Sequence, residues 1–261
     1  MSATTLAAPI RVNTAGVHTR PGIGRLVAVE LRKMVNTRAG FWLQLATVAI
    51  TVLAVIVRSV VGDAADHTFA AILNVGVKPA AVLLPIAGIL LVTSEWSQRT
   101  GMITFALVPV RSRVLGAKLV ASLVLAAGML VMSVGVVAAG VLVASPGVDG
   151  TWFDVAALIG QSAVYLTTGM VVGVAFGMVL LASAPAIVTL FALPIAWTAV
   201  ASLSFFADAA PWLDTRLALG PLPQEVLSAT QWAHAGTALA LWMLLPLLIG
   251  TWRITRREVA S

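Results

Sequence analysis

Residues 155–206 read VAALIGQSAVYLTTGMVVGVAFGMVLLASAPAIVTLFALPIAWTAVASLSFF, a run of 52 positions without one charged side chain. As a single helix it would extend about 78 Å, far beyond the roughly 30 Å hydrocarbon core that a helix has to cross. The run must therefore fold back on itself. Ser183-Ala184-Pro185 is the expected break, because proline lacks a backbone N–H and restrains the residue before it.

The same kind of block recurs along the chain. Apolar stretches over about 41–61, 75–94, 119–144, 155–182, 185–206 and 233–252 give six predicted spans. Of the 261 residues, 60% are hydrophobic and 10% charged, and the mean hydropathy is +1.01. A soluble domain carries about 25% charged residues. The expected fold class is thus all-α, a polytopic membrane protein with six transmembrane helices. Cysteine is absent, which excludes disulfides, thiolate metal sites and thiol redox chemistry. Residues 1–24 read as a polar, flexible arm. They lack a cationic start followed by an apolar run, so no cleavable signal peptide is expected.

Six spans put both termini on one side, and the basic residues say which. Thirteen of the 16 lie in the N-terminal arm, the 94–118 loop and the tail, against Glu30, Glu95 and Glu258, leaving +10 there. The opposite side holds Arg58, Lys78 and Arg216 against seven acids, a balance of −4. The positive-inside rule then places both termini and the 94–118 loop in the cytoplasm. Read this way, the pI near 11.1 reflects topology and not nucleic-acid binding. Trp42, Trp96 and Trp252 fall at inner ends and Trp152, Trp212 and Trp232 at outer ends, as an interfacial aromatic belt requires.

Four segments carry functional expectations. Residues 25–40 form an amphipathic helix before the first span, with Val27, Leu31, Met34 and Val35 on one arc and Arg25, Glu30, Arg32 and Lys33 off it. It reads either as a basic anchor or as an elbow helix that also meets a cytoplasmic partner. The loop SEWSQRTGMITFALVPVRSRVLGAK, Ser94–Lys118, allows a helix over 95–107 that could rest one face on the bilayer and offer Met102 and Phe105 to a groove. Gly169, Gly173 and Gly177 line one helix face and permit close helix packing, within the subunit or between subunits. The outer segment 207–231 reads as a pair of short interfacial or re-entrant helices gating the outer side, or as a capping loop.

No ionisable residue falls at the middle of a predicted span, which disfavours a proton-coupled carrier. His18, His67 and His234 lack metal-ligand spacing, and no hydrolase, metalloprotease or nucleotide-binding motif occurs. This chain is not expected to be an enzyme or to hold a metal. Gln44 and Gln161 stand out among the intramembrane polar residues, either gluing helices or facing a wet path.

Taken together, these features resemble the permease subunit of type-2 ABC exporters. The likeness rests on Glu30-Leu31-Arg32-Lys33 before span one, and on Glu95, Gly101-Met102, Pro109-Val110-Arg111-Ser112-Arg113 and Lys118 after span two. Met102 stands where the family favours Thr, and one extra residue follows Pro109. The resemblance implies a permease domain over 25–261, dimerised as a homo- or heterodimer among membrane lipids. It also implies two copies of a separate ATPase, which would hold the ATP and Mg that this chain lacks. By the same likeness, Glu95, Trp96, Arg99, Gly101, Met102 and Phe105 belong to a coupling helix, and Glu30, Arg32 and Lys33 to the elbow. Spans one and five would line the path, offering Gln44, Thr47, Thr51, Thr189, Phe191, Trp197 and Thr198 to a hydrophobic or amphipathic cargo such as a drug, peptide or lipid. The rival classes are a proton-coupled secondary transporter and a non-transporting assembly or sensor component.

Overall fold

The computed structural model describes residues 22–61, 67–97, 111–145, 152–201 and 203–256, with backbone alone for Trp96, Ser97 and Arg111. It is helical, with no strand among the described residues. Helix α1 runs Ile23–Asn36, α2 Arg38–Val60, α3 Phe69–Ser97, α4 Arg111–Ala144, α5 Val155–Leu180 and α6 Ser183–Ala201. Two short helices follow, α7 Ala210–Leu213 and α8 Thr215–Leu219. The last span consists of α9 Ala229–Leu239, a π-helical turn Ala240–Leu244 and α10 Leu245–Arg256. Six helices are long and apolar enough to cross a membrane: α2, α3, α4, α5, α6 and the α9–α10 unit.

The expected spans and these helices agree, with two informative differences. The break after span four falls at Leu181-Ala182, where Leu181 takes a left-handed φ of 56° and its N–H bonds to Gly177 O at 2.9 Å. Pro185 instead sits in the first turn of α6, where no N–H is needed. The second span also begins at Phe69, not near 75, which draws Asn74 into the helix and puts nine helical residues ahead of Lys78.

At the centre, α3 packs along α5 through small residues. A Cβ on Gly173 would run into the backbone of Pro85, and one on Gly177 would lie 3.2 Å from Ile89 Cα. From the other side, a Cβ on Gly88 would meet Met170 O at 2.7 Å. The backbones therefore touch as only glycine permits. Span six closes on α5 in the same manner, since a Cβ on Gly250 would stand 2.6 Å from Met178 Cβ. Val55 of α2 packs between the glycine notches at Gly76 and Gly140. Ile72, Leu73, Val77, Val137, Leu166 and Met170 are fully buried around this axis. The flanking helices α2 and α6 leave wide apolar faces open, including Leu53, Ile56, Val188 and Ile195.

Candidate functional site

At the end of the bundle where α1, the start of α4 and the end of α10 lie, four charged side chains meet. Lys33 Nζ bonds to Glu30 Oε1 at 2.8 Å and to Glu95 Oε1 at 2.6 Å. Lys118 Nζ lies 2.7 Å from Glu30 Oε2 and 3.0 Å from Glu95 Oε1, and donates to Leu91 O at 3.1 Å. Each base touches both acids, so these four side chains form a ring in which two positive and two negative charges offset one another. Glu30, Glu95 and Lys118 are buried, whereas the Lys33 side chain keeps 38% of its surface exposed. Ionised groups out of water need such pairing, because desolvation otherwise costs several kcal/mol per ion.

The local sequence explains how the ring is built. In α1, Val27, Glu30, Leu31 and Met34 follow helical spacing and face the bundle. The amphipathic reading had placed Glu30 on the polar side and Val35 on the apolar arc. The structure reverses both: Glu30 is buried and Val35 is 41% exposed. The reason is that two lysines wait for Glu30, one from its own helix and one from α4. Thr37 then caps α2, accepting a hydrogen bond from Gly40 N at 3.1 Å, and sets the bend between α1 and α2. Burial pulls the Lys33 ammonium down, but its hydrogen bonds to Glu30 and Glu95 outweigh that and hold its pKa above the usual 10.5.

The ring joins three elements at one place. Glu95 ends α3 just before residues 98–110, and Lys118 stands two turns into α4, which follows that segment. Arg99, Gly101, Met102 and Phe105, the side chain of Trp96 and the expected helix over 95–107 lie outside the described residues. Arg32, which the resemblance groups with Glu30 and Lys33, is exposed and forms none of the ring's ion pairs.

The seven path candidates do not come together in one subunit. Thr47 and Thr51 turn inward and are buried, with Thr47 Oγ1 bonded to Leu43 O at 2.8 Å. Both amide atoms of Gln44 are buried without a hydrogen-bond partner. On α6, Phe191 is 39% exposed and Thr189 is half-buried. Trp197 meets Phe206 edge-on at 6.1 Å, and Thr198 donates to Asp214 Oδ2 at 3.0 Å. Helix α2 packs on α3 and α4, whereas α6 packs on α5 and α3, so the two groups occupy separate flanks.

The opposite end has its own polar tie, centred on Gln161. Its Nε2 donates to Leu222 O at 2.8 Å and to Glu225 O at 2.6 Å, and its Oε1 accepts from Leu227 N at 2.8 Å. Gln161 thus holds the segment after α8 against span four. Trp242 Nε1 donates to Leu213 O at 2.7 Å, which seats the α7–α8 pair against span six.

No protein family and no curated protein matches the chain. Among the described residues no group of histidines and acids is placed to hold a metal ion. Sequence reading missed two things here. Glu30, Lys33, Glu95 and Lys118 were visible as separate residues, but nothing in their spacing closes them into a ring. Lys78 was counted at the outer end of span two, although nine residues of α3 precede it.

Proposed function

We propose that this chain is the transmembrane permease subunit of an ATP-driven exporter of the type-2 ABC kind, working with a separate ATPase. In this reading both termini and the 98–110 segment face the cytoplasm of a bacterial inner membrane. The cargo is a hydrophobic or amphipathic molecule.

The observation that carries the reading is the Glu30–Lys33–Glu95–Lys118 ring. It ties α1 to both flanks of the segment expected to meet the ATPase. A push on that segment then reaches α1, α3 and α4 together instead of bending one loop. The rest of the chain suits a passive, driven part: it has six apolar helices and two flanks, α2 and α6, whose apolar faces stay open for a second permease subunit.

Co-expression with a candidate ABC ATPase tests the proposal. Met102→Ala with Phe105→Ala is expected to abolish transport while the partner still hydrolyses ATP. Unaltered transport and co-purification would count against the coupling role. Transport that survives ATP depletion but collapses with the proton gradient would replace the reading with a secondary carrier.

A further inference from the structure

Two cavities open between α3, α5 and α8 and meet at Tyr165. The one toward the Gln161 end, about 370 Å³, is walled by Asn74, Lys78, Arg216 and Gln224 among others. The deeper one, about 160 Å³, is apolar, with Pro85, Val172, Phe176, Leu190, Leu239 and Trp242 on its walls. On α3 the residues facing them run Asn74, Lys78, Ala81 and Pro85, all on one helix face, so the two cavities lie in line along that side of α3 as a cleft in two parts with Tyr165 between them. From Lys78 to Pro85 it descends about 10 Å at helical rise.

The chemistry changes along that descent. At the top, Lys78 and Arg216 bring two positive charges, no acid lines the cavity, and neither base belongs to an ion pair among the described residues. Both bases are exposed, and nine residues of α3 precede Lys78. The side-chain oxygen of Asn74 is also buried there without a partner. At the bottom, every wall is hydrocarbon or aromatic apart from Thr168 and Thr215. The helices around it are interrupted by Pro85, Pro194 and the π turn before Pro246, and such interruptions loosen packing.

We infer that this cleft binds an anionic amphiphile, with its headgroup between Lys78 and Arg216 and its apolar body in the pocket below Tyr165. The unpartnered Asn74 oxygen favours a headgroup that carries a hydroxyl beside its negative charge, as a glycerol phosphodiester does, because a hydroxyl can donate to it. Together the cavities fall within the roughly 300–1,000 Å³ of small-molecule sites. Binding itself is independent of the transport proposal. That the bound molecule is the cargo rests on that proposal.

The test uses the full chain purified in a non-ionic detergent, with dodecyl phosphate as the probe. Dodecanol and inorganic phosphate serve as half-probes. Dodecyl phosphate is expected to bind at least tenfold more tightly than either. Lys78→Gln and Arg216→Gln should each weaken it about tenfold while leaving dodecanol binding and the melting temperature unchanged. Equal binding of dodecanol and dodecyl phosphate, or unchanged affinity in both variants, overturns the site. Binding of inorganic phosphate as tight as the amphiphile overturns the apolar half. Vesicles rich in phosphatidylglycerol, set against neutral ones, tell the source: competition with the probe identifies a bilayer lipid, and its absence a dissolved amphiphile. No ATPase takes part, so a failure of the transport reading leaves this result standing, and the reverse also holds.

Discussion

Lys118 is the residue on which the charge ring depends most. Its ammonium is almost fully buried and its partners are both acids, so Lys118→Met leaves two carboxylates facing one lysine. An uncompensated buried charge costs about 3–5 kcal/mol, and a large fall in melting temperature is expected in a thermal-shift assay. Lys33→Met should cost less, since that side chain is more than a third exposed and screened. Adding Glu30→Met to Lys118→Met is expected to recover part of the loss, because it restores one acid to one base. A double variant as unstable as the sum of its parts would mean that the ring has no internal coupling.

The raised pKa of Lys33 gives a pH dependence of definite sign. A lysine held above its unfolded value of 10.5 stabilises the fold fully below that pH and loses its contribution as the pH climbs through the higher folded value. Wild type is therefore expected to lose more melting temperature than Lys33→Met as the pH rises beyond 10.5. Parallel curves for the two proteins would remove Lys33 from the account.

Among the elements, the α3–α5 contact tolerates the least change. Gly173→Ala places a methyl group against the Pro85 backbone, which cannot yield, and should cost about 1–3 kcal/mol or prevent folding. Gly169→Ala is a matched control, because its added carbon would lie 3.4 Å from the Pro85 ring, an ordinary contact. Folded yield after detergent extraction separates the two. At the opposite end, Gln161→Leu removes three hydrogen bonds to the 222–227 backbone, each orphan costing about 1–3 kcal/mol. Proteolysis near Pro223 is expected to quicken in that variant while the six-helix body stays intact. The element boundaries were legible wherever apolar length alone decided them, as for α2 and α5. The start of α3 was not, because residues 69–74 extend the helix beyond the expected start near 75 and the polar Asn74 interrupts the apolar run there.

Viewed whole, the molecule has a rigid axis of α3, α5 and the last span, and more open flanks at α2 and α6. Polar ties fix it at both ends: the charge ring at one, and Gln161 with Trp242 at the other. If a second subunit covers the open flanks, cysteines introduced at exposed positions of α2 or α6, such as Leu53→Cys or Ile195→Cys, should cross-link between chains. Cross-linking at neither flank would argue for a monomer.

The sequence by itself determined the class and the number of helices, because a chain with so few charges over so many consecutive positions has no stable home except hydrocarbon. It also determined that Glu30, Glu95 and Lys118 would lie at one end, since each adjoins the end of an apolar block. Only the tertiary structure decided that these charges neutralise one another, that Gln161 grips a distant loop, and that Lys78 and Arg216 share a cavity with no acid. Hydropathy is additive along the chain and can be read in order. Pairing depends on distances between residues on different helices, up to 88 positions apart in the ring, and the packing of helices sets those.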